Sequence, residues 1–200
     1  MPHLIYVTHP QVTIDPAVPV PDWGLSEQGR LRAMAACRQP WLRDVETIIA
    51  SAERKAIETA EILAGARGLT VEVRSGLHEN GRSATGYLAA PEFERLADAF
   101  FANPNLSARG WERALDAQAR ISAHAEQIPR DRRGTVCLVG HGGVGTLLYC
   151  HLAGLPVDRR YDQPVGGGCY FTFDIEARQV IHGWRFFDRI DGHTNDARSP

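Results

Sequence analysis

The sequence predicts an α/β fold, a three-layer α/β/α sandwich in which a mostly parallel β-sheet lies between two layers of helices. Short runs of β-branched and aliphatic residues alternate along the chain with longer segments whose apolar residues recur at helical spacing. Connections between parallel strands place helices on both faces of a sheet, so this alternation predicts a covered sheet. The 200 residues, 44% of them hydrophobic, correspond to about one domain with a sizeable core, expected to span residues 1–200.

The predicted strands are short apolar runs that end at proline, glycine or polar residues. The first run, residues 4–8, stops at Pro10, which begins a proline-rich loop. Residues 70–74 alternate between apolar and polar side chains, and residues 135–139 form the clearest buried strand. The remaining predicted strands are residues 47–50, 169–173 and 179–186.

The predicted helices begin at capping residues or directly after strands. Ser26 is placed to cap a helix that ends before Pro40. A second helix follows Ser51 and ends near Gly68. Two further helices are predicted, at residues 111–128 and in the apolar segment that reaches residue 152.

Residues 80–110 interrupt this alternation of strands and helices. Glycines and prolines divide the segment, and aromatic side chains are concentrated in it. We therefore expect a lid-like insertion at residues 80–110. Residues 191–200 are polar and are expected to form a flexible tail.

The composition argues against nucleic acid and membrane as partners. With 22 basic and 24 acidic residues the net charge is −2, which provides no cationic field for phosphate backbones or anionic lipid. No apolar run approaches the ~18 residues of a membrane span, and the first residues lack the features of a secretory leader. Four cysteines without a CxxC pair indicate buried, reduced thiols. These features predict a cytoplasmic protein.

Reactive side chains follow the predicted strands, at the edge where α/β sheets bind their ligands. His9 follows the first strand, residues 51–55 follow the second, and Glu79 comes shortly after the third. His141 follows the fourth strand. We expect these side chains to converge on one site.

Four motifs occur in a fixed order along the chain. They are Thr8-His9-Pro10, Ser51-Ala-Glu-Arg54-Lys55-Ala, Leu77-His-Glu79 and Gly140-His141-Gly142-Gly143. Each motif alone is weak, but their order resembles the histidine phosphatase superfamily, the phosphoglycerate-mutase-like group. The segment from Leu25 to Gly29 supports this, because it is similar to the start of that family's first helix.

The resemblance implies a site for phosphoryl transfer. His9 would be the nucleophile that forms a phosphohistidine, His141 would donate to the phosphoryl oxygens, and Glu79 would be the general acid that then activates water. For Glu79 to carry a proton near neutral pH, burial or a nearby negative charge must raise its pKa. The expected ligand is a small-molecule phosphomonoester or inorganic phosphate, and neither a metal nor a cofactor is required.

Two of the four motifs depart from the family pattern. Thr8 and Pro10 flank the predicted nucleophile where the family has arginine and glycine, so one guanidinium and one backbone N–H are missing. Lys55 occupies the position of the family's second-motif arginine, and Arg54 precedes it. Adjacent helical residues point about 100° apart, so these two cannot project identically. Thr8, Arg54 and Lys55 all remain phosphate-binding candidates, and Arg82 is a possible replacement cation.

The missing arginine leaves two other functions open within the same fold. One is a phosphate- or phosphoester-binding protein with weakened turnover. The other is a phosphoglycerate-type mutase, which must hold a doubly anionic substrate and protect its phosphoenzyme from water. The basic and acidic residues of segment 80–110 are equal in number, and its aromatic side chains favour a partly apolar leaving group. Hydrolysis is therefore preferred over mutase activity.

Three other patterns point to different chemistry. Residues 140–145 match the glycine pattern of dinucleotide-binding folds, but no second strand with a terminal acidic residue follows at the required distance. Cys37 and Arg43 have the spacing of cysteine-dependent phosphatases, without glycines between them to bind phosphate. The three candidate catalytic side chains could also ligate zinc, although no fourth ligand is apparent.

Overall fold

One sheet of six strands organises the described residues, 2–131 and 134–189, of this computed structural model. The strands are β1 His3–Thr8, β2 Val45–Ser51, β3 Val71–Arg74, β4 Thr135–Gly140, β5 Cys169–Asp174 and β6 Gln179–Phe186. Their order across the sheet is β3-β2-β4-β1-β5-β6. The first four strands are parallel, whereas β5 and β6 pair with their neighbours in antiparallel fashion. The predicted mostly parallel sheet is confirmed.

Within the described ranges, five α-helices connect or flank the strands. They are α1 Glu27–Ala36, α2 Arg54–Arg67, α3 Ala90–Ala102, α4 Ala114–Asp131 and α5 Gly142–Leu152. The predicted cap of α1 is confirmed, because the Ser26 Oγ atom accepts a hydrogen bond from the Gly29 N–H at 3.1 Å. Helix α2 ends at Gly68, whose φ of 65° lies in the left-handed region that glycine adopts without strain.

Two hydrophobic cores lie on opposite faces of the sheet. Successive side chains of a strand point to opposite faces, and β1 shows both directions. Leu4 and Tyr6 pack with residues of α4 and α5, whereas Ile5 and Val7 pack with residues of α1 and α2. Helices cover both faces of the sheet, which confirms the three-layer sandwich.

The segment 80–110, predicted as a lid-like insertion, consists of α3 and its flanking loops. Phe100 and Phe101 of α3 are buried and belong to the core that contains α4 and α5. Part of the aromatic content of this segment therefore stabilises the fold. Every helix in the described part of the chain is too short or too polar to cross a bilayer. The predicted tail, 191–200, lies outside the described residues.

The hydroxyl of Tyr6 joins β1 to the residue that precedes α5. It donates a hydrogen bond to the His141 carbonyl oxygen and accepts one from the His141 N–H, each at 3.0 Å. The ring stacks on Phe171 with the two centroids 5.5 Å apart. Burial raises the pKa of Tyr6 above its usual range, so the hydroxyl stays neutral and keeps its proton for donation. Tyr6 therefore fixes the backbone of His141.

We expect the substitution Tyr6→Phe to lower the free energy of unfolding by about 1–3 kcal/mol, because it leaves the buried His141 N–H without a partner. Urea denaturation measures the loss. Tyr149→Phe is the matched control, since Tyr149 packs against the same Phe171 ring and its hydroxyl makes no hydrogen bond among the described residues. Equally small losses for both variants would contradict the proposed contribution of the Tyr6 hydroxyl.

Candidate active site

The parallel pairing of β1 with β4 brings the two predicted histidines together. Thr8 lies opposite Gly140 in the register of this pair, so the next residue on each strand is a histidine. The His9 N–H donates to the Gly140 carbonyl oxygen at 3.1 Å, which continues the pairing by one bond. The ring centroids of His9 and His141 are 5.3 Å apart, with the planes at 69°. One tetrahedral anion can contact both rings.

The hydrogen bonding of His9 determines which ring nitrogen is available for reaction. Its Nδ1 atom lies 2.8 Å from the Pro10 carbonyl oxygen, which accepts only from a protonated nitrogen. The Nε2 atom therefore carries the lone pair. Burial, reinforced by the neighbouring His141, lowers the pKa of His9 to about 3. The imidazole is neutral at physiological pH and has the form that a nucleophile requires.

Two glycines, Gly167 and Gly168, lie against the backbone of His9. The Gly168 N–H donates to the His9 carbonyl oxygen at 3.0 Å. Gly167 has a φ of 61°, and a Cβ atom there would lie 2.5 Å from the same oxygen. Only glycine permits this close approach without strain. The sequence analysis did not assign this segment, residues 166–168, to the site.

His141 is fully buried, and its two ring nitrogens have different surroundings. The Nε2 atom lies 2.8 Å from the Ser51 Oγ atom. Ser51 accepts a hydrogen bond from the Glu53 N–H, so its own proton is free for the imidazole. The Nδ1 atom has no hydrogen-bond partner among the described residues. This arrangement favours a proton on Nδ1, where it can be donated to a phosphoryl oxygen.

Glu79 lies at the amino terminus of α5. Its carboxylate accepts hydrogen bonds from the Val144 N–H at 2.9 Å and from the Gly143 N–H at 3.3 Å. A Cβ atom at Gly143 would lie 2.9 Å from Glu79 Oε1, so a glycine here permits the contact. Both bonds use N–H groups that an isolated helix leaves unpaired.

The unliganded protein favours the ionised form of Glu79. Burial acts to raise its pKa, but Arg82, His141 and the Val144 N–H outweigh that effect and hold the pKa of Glu79 below its usual range. Of the two sources that could raise this pKa, burial is therefore insufficient in the unliganded protein. The remaining route to a protonated Glu79 is the negative charge of a bound phosphate.

Lys55 lies at the predicted position, but its charge is paired within the protein. The buried ammonium group contacts the Glu53 carboxylate and donates to the Val20 carbonyl oxygen at 2.8 Å. The other Glu53 oxygen accepts from the Glu79 N–H at 2.9 Å and lies 3.6 Å from His141 Nε2. Burial opposes ionisation of Glu53, but His141 and Lys55 lower its pKa to about 2. A carboxylate that the sequence analysis did not single out therefore lies beside the histidine pair.

The other two candidate phosphate ligands have different partners. The exposed Arg54 guanidinium forms an ion pair with Glu58 at 2.8 Å. The buried Thr8 hydroxyl donates to Gln163 Oε1 at 2.6 Å and accepts from the Cys169 N–H at 2.9 Å. Neither side chain is among the described residues that line the cavity beside His9. Arg54 and Thr8 therefore contribute no side chain to the cavity that His9 lines.

A cavity of about 260 Å³ opens beside His9. It is lined by the predicted residues His9, Glu79 and Arg82 and by aromatic side chains that include Phe93 and Trp111. The Arg82 guanidinium lies over the rings of Phe93 and Trp111, at 5.2 and 5.6 Å from their centroids. It forms no ion pair at salt-bridge distance with any described residue. Arg82 is thus a cation that is available to an anion in this cavity.

Asp162 and Gln163 also line the cavity, and sequence reasoning missed both. Asp162 accepts hydrogen bonds from the Thr146 hydroxyl and from the Gln163 N–H, each at 2.8 Å. Burial raises the pKa of Asp162. Nearby, Arg159 forms ion pairs with Glu94 and Asp98 of α3. These residues lie in an irregular segment where no spacing signals a function, whereas Glu53 lies inside a recognised motif.

The three sequence patterns that pointed to other chemistry occur in structural settings that do not support that chemistry. The glycines of residues 140–145 connect β4 to α5, and the next described strand, β5, is antiparallel to β1. Cys37 lies at the carboxyl terminus of α1, as expected. The described residues contain no group of three or more histidine, cysteine, aspartate or glutamate side chains that could hold a metal ion.

Solved structures share this fold over most of their length. A mycobacterial glucosyl-3-phosphoglycerate phosphatase in complex with inorganic phosphate is 26% identical, has a TM-score of 0.71 and aligns over 92% of this chain and 95% of its own. A second mycobacterial hydrolase is also 26% identical, with a TM-score of 0.69 and coverages of 92% and 88%. A phosphoserine phosphatase from Entamoeba histolytica, solved with 3-phosphoglyceric acid, is 16% identical, with a TM-score of 0.73 and coverages of 90% and 94%.

Comparison with curated protein sequences gives no match. The sequence profile of the histidine phosphatase superfamily (branch 1) matches residues 13–185. The matched range begins after His9, so the assignment of His9 depends on the geometry described above. It includes Glu79, His141 and the segment from Ser51 to Lys55. The resemblance inferred from the four motifs is confirmed, and the chain belongs to the histidine phosphatase superfamily.

Proposed function

We propose that this protein hydrolyses phosphomonoesters and that the Nε2 atom of His9 accepts the phosphoryl group. The observation that carries the proposal is the pair of imidazole rings, His9 and His141, whose centroids are 5.3 Å apart at the edge of the sheet. Membership of a phosphatase family supports the same chemistry, as does similarity to a phosphatase that binds inorganic phosphate.

The reaction has two steps. The Nε2 lone pair of His9 attacks phosphorus, the bond from phosphorus to the ester oxygen breaks, and Glu79 donates a proton to the departing oxygen. Glu79 then removes a proton from water, which attacks the phosphohistidine and releases inorganic phosphate with the His9 ring restored. Throughout, the Nδ1–H of His141 donates to a phosphoryl oxygen. These steps require neither a metal ion nor a cofactor.

Fewer positively charged groups are available to balance the phosphate than the family pattern would provide. Arg82 is the available guanidinium at the cavity. The positive end of the α5 dipole is partly offset, because the Glu79 carboxylate already accepts from the Gly143 and Val144 N–H groups. Lys55 contributes less, because the Glu53 carboxylate already neutralises it. With no arginine at position 8, we expect weaker phosphate binding and slower turnover than in family members that have it.

A phosphoester-binding protein with weakened turnover is the second candidate function. The observation that favours it is the Glu53 carboxylate beside His141, since a negative charge there opposes a doubly charged phosphate. A hydrolase transfers the phosphoryl group to His9 and releases inorganic phosphate, whereas a binding protein leaves the phosphoester largely intact. The following experiment separates them.

We expect the substitution His9→Ala to lower phosphate release from an aryl phosphate by about 10³-fold or more, because it removes the nucleophile. Alkaline quenching of the wild-type protein with radiolabelled substrate should trap a phosphohistidine. His151→Ala is the control, since His151 lies exposed on α5 and pairs with Glu126. Equal release by the wild-type protein and His9→Ala would exclude the hydrolase and leave the binding function.

We expect Glu53→Gln to tighten inhibition by inorganic phosphate about tenfold, since it frees the Lys55 ammonium and removes a negative charge beside His141. The amide oxygen of glutamine can still accept from the Glu79 N–H. Glu61→Gln, on the exposed face of α2, is the control. An unchanged inhibition constant would mean that Lys55 does not reach the phosphate.

Hydrolysis of alkyl phosphates should accelerate as the pH falls from about 7 to about 5. The pKa of Glu79 lies below its usual range, so lowering the pH increases the protonated fraction that serves as the acid. His9, with a pKa of about 3, remains neutral over this interval. Aryl phosphates with acidic leaving groups should show a flatter profile. The measurement is kcat/KM against pH for both substrate types.

The substitution Glu79→Gln should abolish this acceleration for alkyl phosphates and affect aryl phosphates less. Asp162→Asn is the matched comparison, because Asp162 is the other carboxyl group in the cavity and its pKa is raised. If the selective loss for alkyl phosphates appears in Asp162→Asn instead, Asp162 is the acid and the assignment of Glu79 is wrong.

A further inference from the structure

Two more cavities continue from the one beside His9 and share its walls. The nearer, about 370 Å³, shares Glu79, Asn80 and Arg82 with the His9 cavity. The farther, about 260 Å³, shares Val20, Arg82 and Gly86 with the nearer one. We refer to these two cavities together as the outer crevice. It begins at the proposed catalytic carboxylate, and neither His9 nor His141 is among the residues that line it.

The walls of the farther cavity come from two segments outside the sheet. The proline-rich loop contributes Ile14, Val20 and Trp23, and the segment 80–110 contributes Tyr87 and Leu88. The rings of Trp23 and Tyr87 lie 5.7 Å apart, within the range of aromatic pairs. Ile14 is 58% and Tyr87 41% exposed. The apolar side chains of the proline-rich loop and of segment 80–110 therefore line a space that solvent can enter.

The indole of Trp23 is held in a fixed orientation. Its Nε1–H donates to the carbonyl oxygens of Asp15 and Val18, at 2.9 and 3.0 Å. These bonds satisfy the polar atom of the ring from within its own loop. The ring can therefore offer apolar surface to the crevice without leaving a buried donor unpaired.

Several polar groups of the outer crevice lie at its border with the His9 cavity, where Glu79, Asn80 and Arg82 line both spaces. Beyond this border, the polar side chains that line the crevice are Glu53, Ser83 and Tyr87. A sugar placed here would lose water from several hydroxyl groups and regain few hydrogen bonds, which is costly. At the entrance, the carboxylates of Glu53 and Glu79 would repel an anionic leaving group. The crevice suits an uncharged, apolar group.

We propose that the outer crevice binds the leaving group of the substrate and selects phosphomonoesters of apolar, ring-containing alcohols over sugar phosphates. This inference rests on the proposed hydrolase function. The phosphate would lie between His9 and His141, and the ester oxygen would pass Glu79 into the crevice. The leaving group would then pack against Trp23 and Tyr87. The combined space reaches the size range of pockets that hold small organic ligands.

The test compares naphthylmethyl phosphate with glucose phosphate esterified at its primary alcohol. Both leaving groups are primary alcohols of similar acidity, so their intrinsic reactivities match and the comparison reports binding. We expect the wild-type kcat/KM for naphthylmethyl phosphate to exceed that for glucose phosphate by about a hundredfold, the effect of two or three buried methylene equivalents and one aromatic contact. Equal values would overturn the proposal.

The variant Tyr87→Ala should raise the KM for naphthylmethyl phosphate about tenfold and leave the constants for glycerol phosphate unchanged, because glycerol does not reach Tyr87. Leu106→Ala is the matched control, since Leu106 is an exposed apolar residue of the same segment that does not line the crevice. A KM that is unchanged in Tyr87→Ala, or raised equally for both substrates, would contradict the proposal.

Binding of the alcohol separates failure of this inference from failure of the hydrolase function. Tryptophan fluorescence should report binding of naphthylmethanol to the wild-type protein and to His9→Ala, and about tenfold weaker binding to Tyr87→Ala. If phosphate release does not depend on His9 but this pattern holds, the hydrolase function fails and the assignment of the crevice stands. If phosphate release depends on His9 but Tyr87→Ala binds naphthylmethanol as tightly as the wild-type protein does, only the assignment of the crevice fails.

Discussion

The register between β1 and β4 is the constraint on which the candidate site depends. Parallel pairing places Thr8 opposite Gly140. The residues that follow them, His9 and His141, are 132 positions apart in the sequence but lie side by side at the edge of the sheet. Both strands are buried, and a shift of one residue would exchange the residues of the two cores. The packing energy of the whole sandwich therefore fixes the distance between the rings. The Tyr6 hydroxyl adds a local bond to the same position.

Charge balance, more than shape, distinguishes this site. Two histidines, a helix amino terminus and Arg82 favour an anion, whereas Glu53 and Glu79 place two carboxylates beside the same space. Lys55 occupies the expected position but is neutralised by Glu53. The site therefore carries less positive charge than its motifs alone suggest. Under the proposed function, its efficiency would depend on how a substrate changes the protonation of these carboxyl groups.

The sequence predicted the fold and the histidine pair well, because both depend on regular patterns. Alternating strands and helices determine the sandwich, and residues that follow parallel strands must lie at one edge. The roles of Thr8 and Arg54 could not be predicted, because short polar side chains and exposed guanidinium groups pair with whichever partners the tertiary structure places nearby. Asp162 lies in an irregular segment, and no local spacing marks the approach of such a segment to a distant strand.

The separation of the outer crevice from the histidine pair has an evolutionary consequence. Ile14 and Tyr87 belong to surface loops, and both remain partly open to solvent, so substitutions there disturb little of the packed interior. His9 and His141, by contrast, are fixed by the sheet. Natural variation can reshape the walls of the crevice while the chemistry at the strand ends is inherited intact. Proteins with this scaffold can in this way differ in substrate specificity while they share one reaction.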